Sequence, residues 1–388
     1  MPNALVVDAV RTARGKKKGS LAGTHPMDLA AHVLWSAVRR SHVDPKEVQD
    51  VVLGCVAQVG EQGLNIGRGA VLAAGWPIEV PGATVNRFCG SGLQAVNFVA
   101  QAIMAGQMDL AIGGGVENMT RVPMGSDANG PGDGPASKQM MDRWPDLVPQ
   151  GLSAEMIAEK WKLSRRDLDE FAAQSQRKAG AAIAEGKFKA EIAPIEVTLP
   201  DGAKKVFDTD EHCRPATTAD VLATLKPSFK EDGVIHAGNS SGIVDGAAAV
   251  LVASESKAKA LGLAPRAKIV SMAIAGSDPV LMLTGPIPAV KSALGKAGLT
   301  VSDIDLWEIN EAFAPVPIVV SRELGIPMEK VNVLGGAIAL GHPLGATGAM
   351  LLATALGELE RRRQRRACIT LCIGYGMGIA TILDRKVD

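Results

Sequence analysis

At 388 residues the chain is long enough for two or three domains with sizeable cores, and its 41 basic side chains balance 41 acidic ones. Zero net charge argues against nucleic acid as the main partner and against a polybasic membrane-facing surface. Hydrophobic residues make up 47%, aromatics only 3%, and there are 43 glycines. That mixture suits close helix–sheet packing in an α/β protein and not a base-stacking platform.

The elements follow in chain order. Residues 4–10 and 50–54 read as strands with a helix at about 27–40 between them. Pro2 to Val10 has no basic start followed by an apolar stretch, and no segment reaches transmembrane length, so a cytoplasmic protein without a membrane partner is expected. Arg14 to Gly19 reads as a solvated basic loop. A glycine-rich helix at about 63–75 leads to Asn86-Arg87-Phe88-Cys89-Gly90-Ser91-Gly92, a cysteine where an approach segment gives way to a helix running to about Gly106. At such a junction the helix dipole and free N–H groups favour thiolate. Asp109 to Glu117 is a buried strand whose glycines lack dinucleotide-loop spacing.

Composition changes after about 119. Residues 120–150 are rich in Gly, Pro, Met and Asp, helices follow at about 152–161 and 164–186 with a capping box at Ser164 and Asp167, and extended segments surround Pro194, Pro200 and Pro227. The block 119–243 therefore reads as an insertion in an α/β core that resumes with the strand Ala247 to Ala253. Strands at 269–275, 306–309, 367–373 and 379–383, with helices at about 288–297, 312–324 and after Gly335, repeat the strand–helix alternation of the first third. The basic run Arg361 to Arg366 closes a helix C-terminus. Cys89-Gly90-Ser91-Gly92 has a faint echo in Gly345-Ala346-Thr347-Gly348.

Five scattered cysteines, Cys55, Cys89, Cys213, Cys368 and Cys372, form no disulfide framework. Cys368 and Cys372 on one strand would lie about 13 Å apart, too far to share a metal, so no metal site is expected. Three stretches share the setting of Cys89, a polar group on a glycine-rich or strand-end loop. His342 precedes a helix, held out of helical geometry by Pro343, where it could take a proton from a thiol. Cys372 ends a buried strand before Gly374-Tyr375-Gly376, and is either core or a second acid/base. Asn310-Glu311 follows an apolar strand, and Asn310 is either a helix cap or a holder of a water against an oxyanion.

Together these stretches resemble the signature blocks of the thiolases, the acetyl-CoA acyltransferases. The likeness rests on Asn86-x-x-Cys89-Gly90-Ser91-Gly92, Ala237-Gly238-Asn239-Ser240-Ser241-Gly242, Asn310-Glu311-Ala312-Phe313, Gly335 to Pro343 and Cys372-x-Gly374-x-Gly376, in order along nearly the whole chain. The resemblance implies an α/β thiolase fold: two similar βαβαβαββ halves in a five-layer α-β-α-β-α arrangement with an inserted loop domain. The halves would be 1–118 plus 244–265 and 266–388, and the inserted domain, 119–243, would bind coenzyme A and make oligomer contacts. It implies that Cys89 carries the acyl group, that His342 activates it, and that Cys372 moves the proton on the α-carbon. The N–H groups of Cys89 and Gly374 would form one oxyanion hole, and His342 with a water held by Asn310 the other. CoA, acetyl-CoA and 3-oxoacyl-CoA would be the substrates and products, with no metal or redox cofactor, in a homodimer or homotetramer.

By the same likeness Ala237 and Ser241 line the pantetheine channel, Arg214 lies near the adenine, and Phe229, Phe313 and Met282 give apolar contacts. The chain departs from short-chain members at Pro149-Gln150-Gly151, where those carry His-Met-Gly, and at Tyr375, where glycine is common. The expectation is a degradative enzyme for 3-oxoacyl-CoAs longer than acetoacetyl-CoA. Alternatives are a biosynthetic acetoacetyl-CoA thiolase, a decarboxylating ketosynthase and a non-catalytic lipid carrier. Ketosynthases use two histidines with their cysteine, where this chain has Asn310 and Cys372, and the carrier would lack a reactive residue.

Overall fold

Strands and helices alternate from the first described residues: β1 (Leu5–Arg11), β2 (Gly15–Lys16), α1 (Pro26–Arg40), β3 (Val51–Gly54), α2 (Ile66–Ala73), β4 (Ala83–Val85), α3 (Ser91–Met104) and β5 (Leu110–Asn118). The coordinates are a computed structural model that describes residues 2–387 apart from Pro131, Asp133, Pro200 and Asp201. The middle of the chain holds α4 (Lys138–Arg143), α5 (Gln150–Lys160), α6 (Arg165–Ala184), β6 (Ile195–Thr198), β7 (Lys204–Phe207) and α7 (Ala219–Ala223). The expected extended segment at Pro200 falls partly outside the described residues; β6 and β7 on either side of it pair antiparallel.

Alternation then returns with β8 (Val244–Ala253), α8 (Glu255–Ala260), β9 (Ala267–Gly276), α9 (Pro286–Ala297), β10 (Leu306–Ile309) and α10 (Pro315–Leu324). The chain ends with α11 (Ala337–Leu340), α12 (Leu344–Arg362), β11 (Arg366–Ile373) and β12 (Met377–Asp384). The helix starts have local causes. Pro26 opens α1 behind a His25 cap, and Ser164 and Asp167 form a reciprocal capping box on α6.

The strands run β10-β11-β12-β9-β1-β8-β5-β3-β4, and β2 pairs with β8. At the centre, β1 and β9 share only Leu5↔Lys268 and Val6↔Ala267, so the sheet is two sheets joined at one corner. Each belongs to one half of the chain. In the C-terminal half the third strand has shrunk to an isolated bridge between Trp307 and Val331, where the N-terminal half has β4.

Three apolar clusters give the layers. One packs α1 and α2 on the outer face of the N-terminal sheet, and another packs α9 and α10 on the outer face of the C-terminal sheet. The third holds α3 and α12 between strands of both sheets, which gives the five α-β-α-β-α layers that the resemblance implies. Strands β5 and β8 are buried along their whole length, which is why they read as apolar runs without alternation.

Glycine makes the central crossing possible. A Cβ on Gly92 would lie 2.7 Å from Gly345 O, one on Gly115 1.9 Å from the same oxygen, and one on Gly54 2.5 Å from Gly92 N. The two echoed turns, at the starts of α3 and α12, therefore meet backbone to backbone. Those helix starts carry Cys89 and His342.

One expectation is corrected. Arg14 is not a solvated loop residue; only Lys16, Lys17 and Lys18 of that run are exposed. Arg14 is 2% exposed, its backbone N–H bonds Asp210, and Asp210 also holds the buried Arg11, which pairs with Glu191. Sequence could not reveal the distant carboxylates that draw it inward.

Candidate active site

Cys89 precedes α3 and is 4% exposed. It shares a cleft wall with Gln150 and Gly374, and the Gln150 side chain and the N–H groups of Cys89 and Gly374 favour the thiolate. Burial nevertheless dominates and pushes the thiol up to about 11, with the buried Glu117 carboxylate adding to the rise. The expected thiolate preference at the helix start is thus corrected: desolvation outweighs the donors, and the resting group is a thiol. The two residues beside the N–H donors, Phe88 and Tyr375, have φ values of 43° and 61°. Such left-handed conformations cost of order 1–2 kcal/mol for non-glycine residues and aim the following or preceding amide into the site. Their rings meet edge to face at 5.3 Å.

His342 is 3% exposed on the loop between α11 and α12. The Thr347 hydroxyl donates to Pro343 O at 3.0 Å, so it accepts from His342 Nδ1–H at 2.6 Å. That assignment leaves Nε2 as the basic nitrogen, taking a bond from Asn310 Nδ2 at 3.3 Å. Burial, with the Arg14 charge behind it, lowers the imidazolium pKa to about 3. Thiol and imidazole are therefore both neutral at rest, and a charged pair must be stabilised by what binds. Asn310 is no helix cap, since α10 starts only at Pro315 behind Ala314. Its buried Oδ1 meets no donor among the described residues, leaving it free to hold a water.

Cys372 sits on β11 opposite Gly378, fully buried, and burial together with the neighbouring Cys89 raises its thiol well above the usual range. The two sulfurs thus sense each other. The four residues come from four elements of both halves.

Two buried glutamates brace these loops, and neither has a role that sequence patterns reveal. Glu117, at the end of β5, accepts from Val56 N (2.9 Å), Ala57 N (3.1 Å), Gln62 Nε2 (2.8 Å) and Gly345 N (2.8 Å). It ties the Cys55–Ala57 segment of one half to the start of α12 in the other. Glu311 accepts from Ser175 Oγ (2.7 Å), Asn332 Nδ2 (2.8 Å) and Ile338 N (3.1 Å), fixing the loop that leads to His342. A charged residue closing an otherwise apolar strand, as Glu117 does, was the available signal.

A cleft of about 460 Å³ opens over Cys89, lined by Val56, Phe88, Met124, Gln150, Met282, Leu344, Gly374 and Tyr375 among others. Of the expected binding residues, Gln150 and Met282 lie in it. The others group elsewhere: Phe229 meets Phe313 edge to face at 5.9 Å, Ser240 bridges Phe313, and Ser241 N bonds Ala312 O at 2.9 Å. Ala237 is exposed on the same turn. Arg214 is exposed, anchored through its N–H to Gln176. Its segment touches the Ser241 turn, because a Cβ on Gly242 would lie 2.2 Å from His212 Nε2.

"Thiolase, N-terminal domain" matches residues 4–256 and "Thiolase, C-terminal domain" residues 263–385. The chain is 46% identical over 394 residues to a 3-ketoacyl-CoA thiolase of Bacillus subtilis (strain 168), covering 99% of this chain and 100% of that protein. It is 46% identical over 405 residues to a beta-ketoadipyl-CoA thiolase of Escherichia coli (99% and 100% covered) and 45% identical over 389 residues to an acetyl-CoA acetyltransferase of Thiocystis violacea (98% of each). The chain belongs to the thiolase family and is an acetyl-CoA acyltransferase.

Proposed function

We propose that this enzyme cleaves 3-oxoacyl-CoAs thiolytically through an acyl group carried on Cys89, and that it works in the degradative direction on acyl chains longer than acetoacetyl. The observation that carries the reading is the cleft over Cys89: its walls are largely apolar, and it is roomier than an acetyl group requires. The relatives named for 3-ketoacyl-CoA and beta-ketoadipyl-CoA support it.

In the proposed sequence His342 Nε2 takes the Cys89 proton and the sulfur attacks the 3-oxo carbon. The resulting oxyanion is held by the N–H groups of Cys89 and Gly374. The C2–C3 bond then breaks. Its electron pair becomes the enolate of acetyl-CoA, held by His342 Nε2–H and a water on Asn310, and the Cys372 thiol protonates C2. Acetyl-CoA leaves. A second CoA gives its thiol proton to Cys372 and attacks the acyl carbon, and Cys89 departs and recovers its proton from His342. Every proton has a protein group to receive it, so no metal or redox cofactor enters the proposal.

Ala237, Ser241, Phe229 and Phe313 suit a pantetheine arm, and Arg214 suits the phosphates or adenine beyond it, which gives residues 119–243 the CoA-binding role. A homodimer or homotetramer is also proposed. Among the described residues β4 ends the sheet with one edge unpaired, and Leu64, Leu72 and Ile78 are exposed on the neighbouring segment. No helix among the described residues is long and apolar enough to cross a membrane; a cytoplasmic location is part of the proposal.

The test is a substrate panel from acetoacetyl-CoA to C8 and longer, with branched and ring-bearing acyl groups, run beside Cys89→Ser. Higher kcat/KM on the longer chains and loss of all thiolysis in Cys89→Ser are expected. Preference for acetoacetyl-CoA would overturn the chain-length reading, and an active Cys89→Ser would overturn the acyl-carrier role.

A further inference from the structure

Most of the cleft over Cys89 is apolar, so each polar side chain in its wall needs an account. Asn86 spends its amide locally, donating to Val56 O at 3.1 Å and accepting from Phe88 N at 2.8 Å. Asp127 is exposed. Gln150 instead turns its amide toward the reacting atoms: it shares the cleft wall with Cys89, its Nε2 lies 3.6 Å from the position of a Cβ on Gly374, and its presence favours the Cys89 thiolate. It therefore stands beside Gly374, on the same side of the cleft as Cys89.

The surroundings hold it there. Gln150 is the first residue of α5, and Gly151 lies so close under Phe229 that a Cβ would come 2.2 Å from the ring. Phe229 is in turn braced by Phe313. One helical turn on, the Ser153 hydroxyl donates to Leu281 O at 2.6 Å, beside Met282 of the cleft wall. A helix start held at Gly151 and Ser153 fixes where its first side chain begins, and preorganised donors are worth most where charge appears in a dry site.

We propose that Gln150 is a catalytic residue, its Nε2 amide giving a third hydrogen bond to the negative charge that forms at Cys89. Before attack that charge is on the sulfur, after His342 has taken the proton. After attack it is on the acyl oxygen lying against the Cys89 and Gly374 N–H groups, and the amide follows it. No proton leaves Gln150 and no bond is made to it. The inference rests on Cys89 being the acyl carrier.

The test uses Gln150→Leu, which removes the donor, and the nearly isosteric Gln150→Glu, which replaces it with an acceptor. Iodoacetamide alkylation of Cys89 is followed by mass spectrometry from pH 7 to 9.5, beside steady-state thiolysis and thermal melting. Both variants are expected to alkylate about tenfold more slowly at each pH, a shift of about one pH unit. Both are expected to lose on the order of 10²-fold in kcat/KM, with less than about a twofold change in KM for CoA, since uniform binding is untouched. Folded variants that alkylate at the unaltered rate across this range would overturn the proposal, because a packing role would not set thiol reactivity. Failure of the underlying reading looks different: there, Cys89→Ser would still thiolyse substrate.

Discussion

The two sides of Cys89 are built differently. On the inner side, His342, Asn310, Cys372, Glu117 and Glu311 are buried; Asn310 bonds His342, Glu311 holds Ile338, and Glu117 reaches across the halves to Gly345. On the outer side, Met124, Gln150 and Tyr375 come from loops or a helix start and are at least partly exposed. The inner wall can hold protons and charges at fixed distances because its groups have no room to turn. The outer wall is open to solvent at Met124 and Tyr375 and borders the space an acyl chain would enter. The buried groups able to take or give a proton thus lie on the braced inner side, and the more exposed contacts, with the Gln150 amide among them, lie on the rim.

The sharpest way to break that division is at His342. His342→Ala is expected to cut kcat/KM by roughly 10³-fold or more, as loss of a proton acceptor that also serves an oxyanion does. His342 also gives a stability signal. Its folded pKa is about 3 and its unfolded value about 6.5, so between those limits the unfolded chain binds a proton that the folded chain refuses. The corresponding stability is full above pH 6.5 and drains away as pH falls toward 3. The denaturant midpoint should therefore fall less between about pH 7 and 4.5 in His342→Asn than in the unmodified protein. Equal falls would mean that the imidazole is not held neutral.

Glu117→Gln tests the bracing itself. An amide cannot accept on its nitrogen, so two of the four N–H donors bonded to the carboxylate would lose or clash with their partner. A loss of roughly 2–4 kcal/mol is expected, read as a lower denaturant midpoint, together with lower activity. An unchanged midpoint would show that the crossing between the halves does not need the carboxylate.

Tyr375→Gly should have the smallest effect and should fall on selectivity. The positive φ at Tyr375 suits glycine, so the backbone gains while the edge-to-face contact with Phe88 is lost. Thermal stability is expected to change by no more than about 1 kcal/mol equivalent, and the ratio of kcat/KM between long and short acyl chains by only several-fold. A collapse of activity on every chain length alike would place Tyr375 with the inner wall instead.

Much of this was legible in the sequence. Apolar periodicity placed the longer strands and helices within a few residues, β5, β8 and α12 among them, whereas the short β2, β4, α4, α7 and α8 carry too few residues to show a period. The glycine-flanked cysteine and histidine were visible as candidates, and the faint echo between their turns marked two helix starts that do touch. The partners of Glu117 and Arg14 were not legible, since a buried charge looks like a surface charge until the groups that hold it are known.

The sequence by itself determined the alternation of elements, the duplicated pattern and the reactive residue types, all of which depend on neighbours within a few positions. Only the tertiary structure decided that Cys89 rests as a thiol and His342 as a neutral base, because desolvation depends on everything packed around them. It also decided that Gln150 faces the sulfur while Asn310 faces the imidazole. Those contacts join residues far apart in the chain, and no local pattern encodes them.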